Sequence, residues 1–164
     1  MDLALARQVA ASVLDPELPV LTLADLGVLR DVAADADGIV VTITPTYSGC
    51  PAMETMRMDL IRSLHTAGFD RVRVRTELSP AWSSDFISED GRRKLVEYGI
   101  APPGPVDRHS GPVPLTLRPP VARVCCPRCG SADTEELSRF GATACKALRR
   151  CLACAEPFEH IKEL

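Results

Sequence analysis

Seven cysteines carry most of the chemistry open to this 164-residue chain, and they are unevenly placed. Cys126-Pro127-Arg128-Cys129-Gly130 is followed after 21 residues by Cys151-Leu152-Ala153-Cys154. Two Cys-x-x-Cys pairs at this separation suit a tetrahedral four-thiolate site. The two intervening residues let both sulfurs of a pair reach one ion while nearby backbone amides turn toward them. Gly130 supports the first turn because it accepts a positive φ. Ala155 stands in the equivalent place after the second pair, which makes that knuckle the weaker one. Four thiolates around a zinc dication leave a negative centre, and Arg128, Lys146, Arg149 and Arg150 stand close enough in sequence to offset it. No coordination position stays open, so such a zinc is structural. Cys125 competes with Cys126 as a ligand, though the Cys-Pro-Arg-Cys-Gly frame favours Cys126. Cys145 is then a spare thiol. His160 is a further candidate ligand, against the ordinary reading of a solvated histidine. An iron–sulfur cluster is the rival metal, since the spacing of Cys145, Cys151 and Cys154 misses the plant-ferredoxin pattern by one residue.

The remaining cysteine, Cys50, lies in Thr44-Pro45-Thr46-Tyr47-Ser48-Gly49-Cys50-Pro51, between a strand signal and a helix signal. With Pro51 as the first helical residue, Cys50 falls at the N-cap. Helix amides and the dipole there favour a thiolate and raise its affinity for soft metals. Thr46 and Ser48 are potential hydroxyl donors to it. A small residue capping a buried helix is the bland alternative. Asp15 and Glu17 read in the same way as ordinary acids after a helix, and His65 as surface.

These residues need elements to hold them. Leu3, Leu5, Val9, Val13 and Leu14 have helical spacing, stopped by Asp15-Pro16-Glu17. Val28 to Ala33 and Ile39 to Thr44 read as strands around an Asp37-Gly38 turn. Pro51 to Leu64 is a helix with Met53, Met56, Leu60, Ile61 and Leu64 on one face, ended by Gly68. Arg71 to Arg75 alternates as a half-exposed strand. Ser88 opens a last helix through Tyr98. The order is that of a small α/β or α+β layer.

Half of the 14 prolines lie between Ala101 and Pro120, a stretch that reads as an extended linker. We therefore expect domains at 1–100 and 121–164, with 101–120 between them. Residues 1–100 carry 10 basic and 15 acidic side chains, and residues 101–164 carry 9 and 7. A net charge of −3 gives no broad attraction to nucleic acid or anionic lipid. No membrane-length apolar run, secretory leader or disulfide framework is evident, so the expected compartment is the cytosol. Phosphate-binding glycine loops, Glu-x-x-His pairs and a Ser/His/Asp set are absent, so the chain is poorly equipped as a stand-alone enzyme.

Asp15-Pro16-Glu17, Leu26-Gly27-Val28 and the Thr46-to-Pro51 loop resemble the SufT-like (DUF59) family of iron–sulfur assembly factors. With the tail motifs Cys126-Pro-Arg-Cys-Gly, Phe140-Gly-Ala-Thr-Ala-Cys-Lys-Ala-Leu and Cys151-Leu-Ala-Cys-Ala-Glu-Pro-Phe, nearly the whole chain resembles the PaaD family of phenylacetyl-CoA epoxidase systems. That resemblance implies a SufT-like domain with a mixed sheet and packed helices, followed by a four-cysteine zinc ribbon. It implies a non-catalytic accessory role in aerobic phenylacetate degradation, maturing or inserting an iron or iron–sulfur centre. The alternative is a purely structural subunit of the oxygenase. Implied partners are the oxygenase and reductase subunits and iron–sulfur assembly proteins. The family's functional Asp, Thr and Cys fall on Asp15, Thr46 and Cys50, with Glu17 beside them, as a transient site for iron or a cluster. The loop departs from the commoner Thr-x-Pro-Gly-Cys-Pro form in its Tyr47-Ser48-Gly49.

Overall fold

A computed structural model describes residues 2–47, 49–106 and 123–164 and divides the chain into two units, Met1–Lys94 and Leu95–Leu164. The first unit holds helix α1 (Leu3–Ala11), strands β1 (Leu29–Asp35) and β2 (Gly38–Ile43), helix α2 (Met53–Thr66) and strand β3 (Val72–Thr76). Helix α3 (Glu89–Tyr98) begins in it. The second unit holds strands β4 (Ile100–Ala101), β5 (Thr134–Ser138), β6 (Lys146–Cys151) and β7 (Pro157–Ile161).

In the first unit the sheet order is β1-β2-β3. β1 and β2 are antiparallel, with Val32 opposite Val41, and β2 and β3 are parallel, with Val41 opposite Val74. This is the mixed sheet expected. β2 is the central strand and reads as a nearly unbroken apolar run, with Ile39, Val41 and Ile43 fully buried. β3 is an edge strand, so it alternates: Val72 and Val74 are half-buried while Arg73 and Arg75 are exposed. Helices α1 and α2 pack on the sheet and on each other, placing Ala6, Ala10, Met56, Leu60 and Leu64 in the core.

Two glycines are fixed by sterics. Gly38, at φ +130°, lets the hairpin close against the backbone of Arg71, whose carbonyl receives the Ile39 amide at 2.9 Å. Gly27, at φ +67°, lies against Phe86, where an added Cβ would sit 2.5 Å from the Phe86 Cβ. Trp82 seals the same corner, donating from its indole nitrogen to the Leu26 carbonyl at 2.9 Å. The Leu26-Gly27-Val28 motif is thus a packing requirement.

Helix α1 ends at Ala11, capped by Ser12, earlier than its apolar spacing predicts. Val13 to Asp15 leave the helix to pair with residues 21–23: the Leu23 amide donates to Val13 and the Asp15 amide to Leu21.

In the second unit the order is β4-β7-β6-β5, with β4 parallel to β7 and the other pairs antiparallel. Ala101, taken from sequence as the first linker residue, lies in β4 opposite His160. Most of the proline-rich stretch expected as a linker falls at 107–122, outside the described residues. The core gathers Ala101, Val124, Cys126, Cys151 and Phe158.

Candidate functional site

In the second unit four cysteine sulfurs converge. Those of Cys126, Cys129, Cys151 and Cys154 all lie within 4.8 Å of one another, with Cys126 and Cys154 at 3.8 Å and Cys129 and Cys151 at 3.5 Å. Each Cys-x-x-Cys pair is a tight knuckle closed in the same way. The amide of Cys126 donates to the Ser131 carbonyl and that of Cys151 to the Glu156 carbonyl, both at 2.9 Å. The residue after each pair has a left-handed backbone, Gly130 at φ 74° and Ala155 at φ 62°. Ala155 is the sole non-glycine at positive φ among the described residues. The second knuckle therefore reproduces the first at a backbone cost that glycine would avoid.

This geometry separates the alternatives left open by spacing. Cys125 is exposed and outside the cluster, whereas Cys126 is buried within it. Cys145 lies elsewhere, its sulfur 3.1 Å from the Thr143 hydroxyl. His160 is neither a member of the cluster nor solvated: it is buried in β7, with Nε2 3.7 Å from a Glu163 carboxylate oxygen. Cys145 thus falls outside the ferredoxin-like pattern, and a bridged cluster would need pairs of thiolates held further apart. A zinc–thiolate bond of about 2.3 Å puts tetrahedral sulfurs about 3.8 Å apart. The donor set and its spacing fit one tetrahedral ion held by Cys126, Cys129, Cys151 and Cys154.

All four cationic residues nominated to offset the centre also face glutamates. Arg128 faces Glu156 at 3.3 Å, Lys146 pairs with Glu159 at 2.8 Å, Arg149 lies 3.8 Å from Glu136, and Arg150 is paired with Glu135. Cross-strand register makes two of these pairs, since Glu135 lies opposite Arg150 and Glu136 opposite Arg149. The thiols themselves diverge in acidity. At Cys151, hydrogen bonds from the Cys154 and Ala153 amides outweigh burial and bring the pKa down to about 7. At Cys129 a backbone bond from Ser131 lowers it, but the neighbouring thiols and burial push it up to about 12.

The first unit presents the Cys50 loop. The Thr44 amide donates to the Val28 carbonyl at 2.9 Å as the chain leaves β2. The Cys50 amide then donates to the Tyr47 carbonyl at 3.2 Å, and Thr46 and Cys50 are both half-buried. Helix α2 starts at Met53 with Ala52 as its N-cap, so Cys50 is not the N-cap that the sequence predicts. Pro51 and Ala52 form a turn that separates the cysteine from the first helical turn. The alanine cap offers no side-chain acceptor to the first amides of the helix.

Asp15 is buried, with Oδ1 accepting the amides of Glu17 at 2.9 Å and Leu18 at 2.7 Å. Glu17 is half-buried beside it. Backbone hydrogen bonds connect this turn to the start of the cysteine loop. Leu23 donates to Val13, Val28 to Leu23, and Thr44 to Val28. Sequence separation hides that ladder, because Val13, Leu23, Val28 and Thr44 all lie outside the regular strands. Among the described residues, no helix is long and apolar enough to cross a membrane.

Comparisons with known proteins match two separate parts of the chain. A family model described as iron–sulfur cluster assembly protein matches residues 7–78, and one described as PaaD zinc beta ribbon domain matches residues 110–162. The crystal structure of a DUF59 domain from Bacillus anthracis superposes with a TM-score of 0.53 at 28% identity, covering 57% of this chain and 90% of that one. Fold and thiol cluster together define an assembly-type α+β domain joined to a four-cysteine β-ribbon. An Escherichia coli (strain K12) protein, named as a subunit of a "Putative 1,2-phenylacetyl-CoA epoxidase", is 47% identical over 148 residues, spanning 90% of this chain and 85% of that protein. The chain belongs to the PaaD family.

Proposed function

We propose that this chain is an accessory subunit of a phenylacetyl-CoA epoxidase system that matures or inserts the system's iron or iron–sulfur centre. Residues 1–100 and 121–164 are its two working domains. The first offers Cys50, together with Thr46, Asp15 and Glu17, as a transient site for iron or a cluster. The second holds structural zinc at Cys126, Cys129, Cys151 and Cys154 and docks the oxygenase or reductase. The carrying observation is that a loop cysteine in an assembly-type domain and a closed four-thiol ribbon occur in one chain.

Division of labour follows from coordination chemistry. Four converging thiolates leave no vacancy, which suits a permanent ion and gives the small tail much of its folding free energy, about 10 kcal/mol in short zinc peptides. A single half-buried thiolate holds cargo weakly enough to release it. The test is to make the epoxidase with and without this chain. Oxygenase subunits that accumulate without it but are metal-deficient and nearly inactive support the maturation reading. Full metal loading and activity without it reject that reading.

One observation favours the purely structural alternative. The Asp15 carboxylate is engaged with the amides of its own turn, as a turn-forming aspartate would be. A stoichiometric requirement for the chain during turnover, with oxygenase metal content unchanged, would select that alternative.

A further inference from the structure

Thr134 opens β5 directly opposite Cys151 in the β5–β6 register. Its hydroxyl donates to the Val124 carbonyl at 2.8 Å, two residues ahead of Cys126. From β6, Arg149 donates through Nη2 to the Thr134 hydroxyl oxygen at 3.2 Å and to the Thr134 carbonyl at 3.4 Å. The Leu152 amide, inside the second knuckle, donates to the Asp133 carbonyl at 2.9 Å. These bonds tie the run leading into Cys126 to the strand ending at Cys151. The hydroxyl has one proton, which goes to Val124, so its lone pair receives Arg149 and its rotor is fixed.

Arg149 is poorly explained by stability alone. Its side chain is 7% exposed, its nearest carboxylate oxygen is 3.8 Å away on Glu136, and its Nε has no hydrogen-bond partner. A buried guanidinium with an unmatched donor is costly, and an apolar side chain would fill the space without that cost. What the guanidinium supplies here is one long-reaching nitrogen, Nη2, shared between the hydroxyl and the carbonyl of Thr134.

We propose that Thr134, oriented by Arg149, is a positioning residue for the four cysteines, setting the spacing of the two Cys-x-x-Cys pairs. The inference rests on reading the cluster as a zinc centre. Neither residue touches the ion. They act by holding the Val124–Cys126 run and the end of β6 in register, so the four sulfurs meet at one ion's tetrahedral spacing.

The experiment uses the full chain, purified without oxygen, with zinc affinity measured against a chromophoric chelator and cobalt(II) as spectroscopic probe. Thr134→Val keeps the shape and removes the hydrogen bonds, and Thr134→Ser keeps the hydroxyl. Glu135→Gln alters a half-buried neighbour on the same strand, which pairs with Arg150 and not with Thr134. Thr134→Val should weaken zinc binding about tenfold or more and change the shape of the cobalt ligand-field bands at saturation. Thr134→Ser should restore both, and Glu135→Gln should change neither. Arg149→Lys, which shortens the side chain and withdraws the nitrogen that reaches Thr134, should show a smaller loss in the same direction and serves if the valine variant does not fold. Unchanged affinity in Thr134→Val and Arg149→Lys overturns the proposal. Weakened affinity with an unaltered saturated cobalt spectrum also overturns it, assigning Thr134 to general folding of the tail. If the wild-type chain takes up neither metal at its thiols, the zinc reading itself fails and this inference with it.

Discussion

Asp25 and Lys94, 69 residues apart in sequence, meet in an ion pair of 2.8 Å that ties the middle of α3 to the turn before β1. The same carboxylate accepts the Thr22 amide at 3.0 Å and the Ser88 hydroxyl at 3.3 Å. Ser88 in turn accepts the Gly91 amide at 2.9 Å, capping the helix. Burial raises the Asp25 pKa, but the bonds from Lys94 and Thr22 outweigh it and hold the carboxyl below its ordinary value. A depressed carboxylate contributes stability that is present above its unfolded pKa and lost as the pH falls through the folded one. The thermal stability of the first unit should therefore fall below about pH 4. Asp25→Asn should cost about 1–2 kcal/mol at pH 7 and flatten the acid limb. An unchanged acid limb in that variant would show that the pair is unimportant.

Gly27 makes a sharper steric prediction. Its φ of +67° and the 2.5 Å approach that a Cβ would make to Phe86 act together. Gly27→Ala should destabilise the first unit by about 2–4 kcal/mol, combining left-handed strain with overpacking. Gly68, also at positive φ but with open space around it, isolates the backbone contribution. Gly68→Ala should cost only about 1–2 kcal/mol. Urea unfolding of both variants at one pH measures the difference.

Some of this structure is plain in the sequence, for identifiable reasons. The apolar face of α2 and the alternation of β3 are periodic over enough residues to be read directly. The four-thiol cluster is legible because two short-range spacings specify it, whatever the intervening chain does. What could not be read depends on long-range register. The pairing of Arg149 and Arg150 with Glu136 and Glu135 follows from a β5–β6 alignment that no local pattern announces. β4 is two residues long and runs into prolines, so its pairing with β7 leaves no signal. The start of α2 is misread because Pro51 suits a first helical turn yet here belongs to the turn before it. Asp15 shows the same ambiguity, since a helix-ending acid and a buried turn acceptor look alike until the amides it receives are known.

The second knuckle offers a gain in stability. Ala155 holds φ 62°, the conformation that Gly130 adopts without penalty in the first knuckle. With zinc bound, Ala155→Gly should stabilise the tail by about 0.5–1 kcal/mol, and Gly130→Ala should destabilise it by about 1–2 kcal/mol. Paired chelator-challenge curves on the two variants test both signs. Destabilisation by Ala155→Gly would mean that the Ala155 backbone is not strained.

Glu163 sets a second acid window, in the second unit. His160 beside it and the Gly104 amide, donating to Oε1 at 2.9 Å, outweigh burial and bring its carboxyl down to about 2. Its contribution is complete above its unfolded value near 4.5 and is lost as the pH falls toward 2. Glu163→Gln should lower the unfolding midpoint of the second unit at neutral pH. Its effect should vanish near pH 2, where the wild-type carboxyl is itself protonated. A deficit that persists unchanged at that pH would indicate lost packing and not lost charge.

Cys50 is the residue on which the maturation reading depends. Because Ala52 is the N-cap of α2, the cysteine side chain is not needed to close the helix, and its loop is held by the backbone bond from Cys50 to Tyr47. Cys50→Ser preserves that backbone bond and the approximate size of a half-buried side chain. It should cost less than about 1 kcal/mol in thermal or urea unfolding. A serine hydroxyl is a poor ligand for soft metals, so the variant should fold, keep zinc in its tail and reach its partners. It should still fail to support metal loading of the epoxidase. Thr46→Val and Asp15→Asn separate the neighbouring roles. Loss of loading with normal stability in Thr46→Val would assign the hydroxyl to the transient site. Asp15→Asn should lower stability, because a carboxylate that receives two amides is replaced by a neutral acceptor. Equal metal content and activity in epoxidase matured with Cys50→Ser would make Cys50 a packing residue and leave the subunit a structural one.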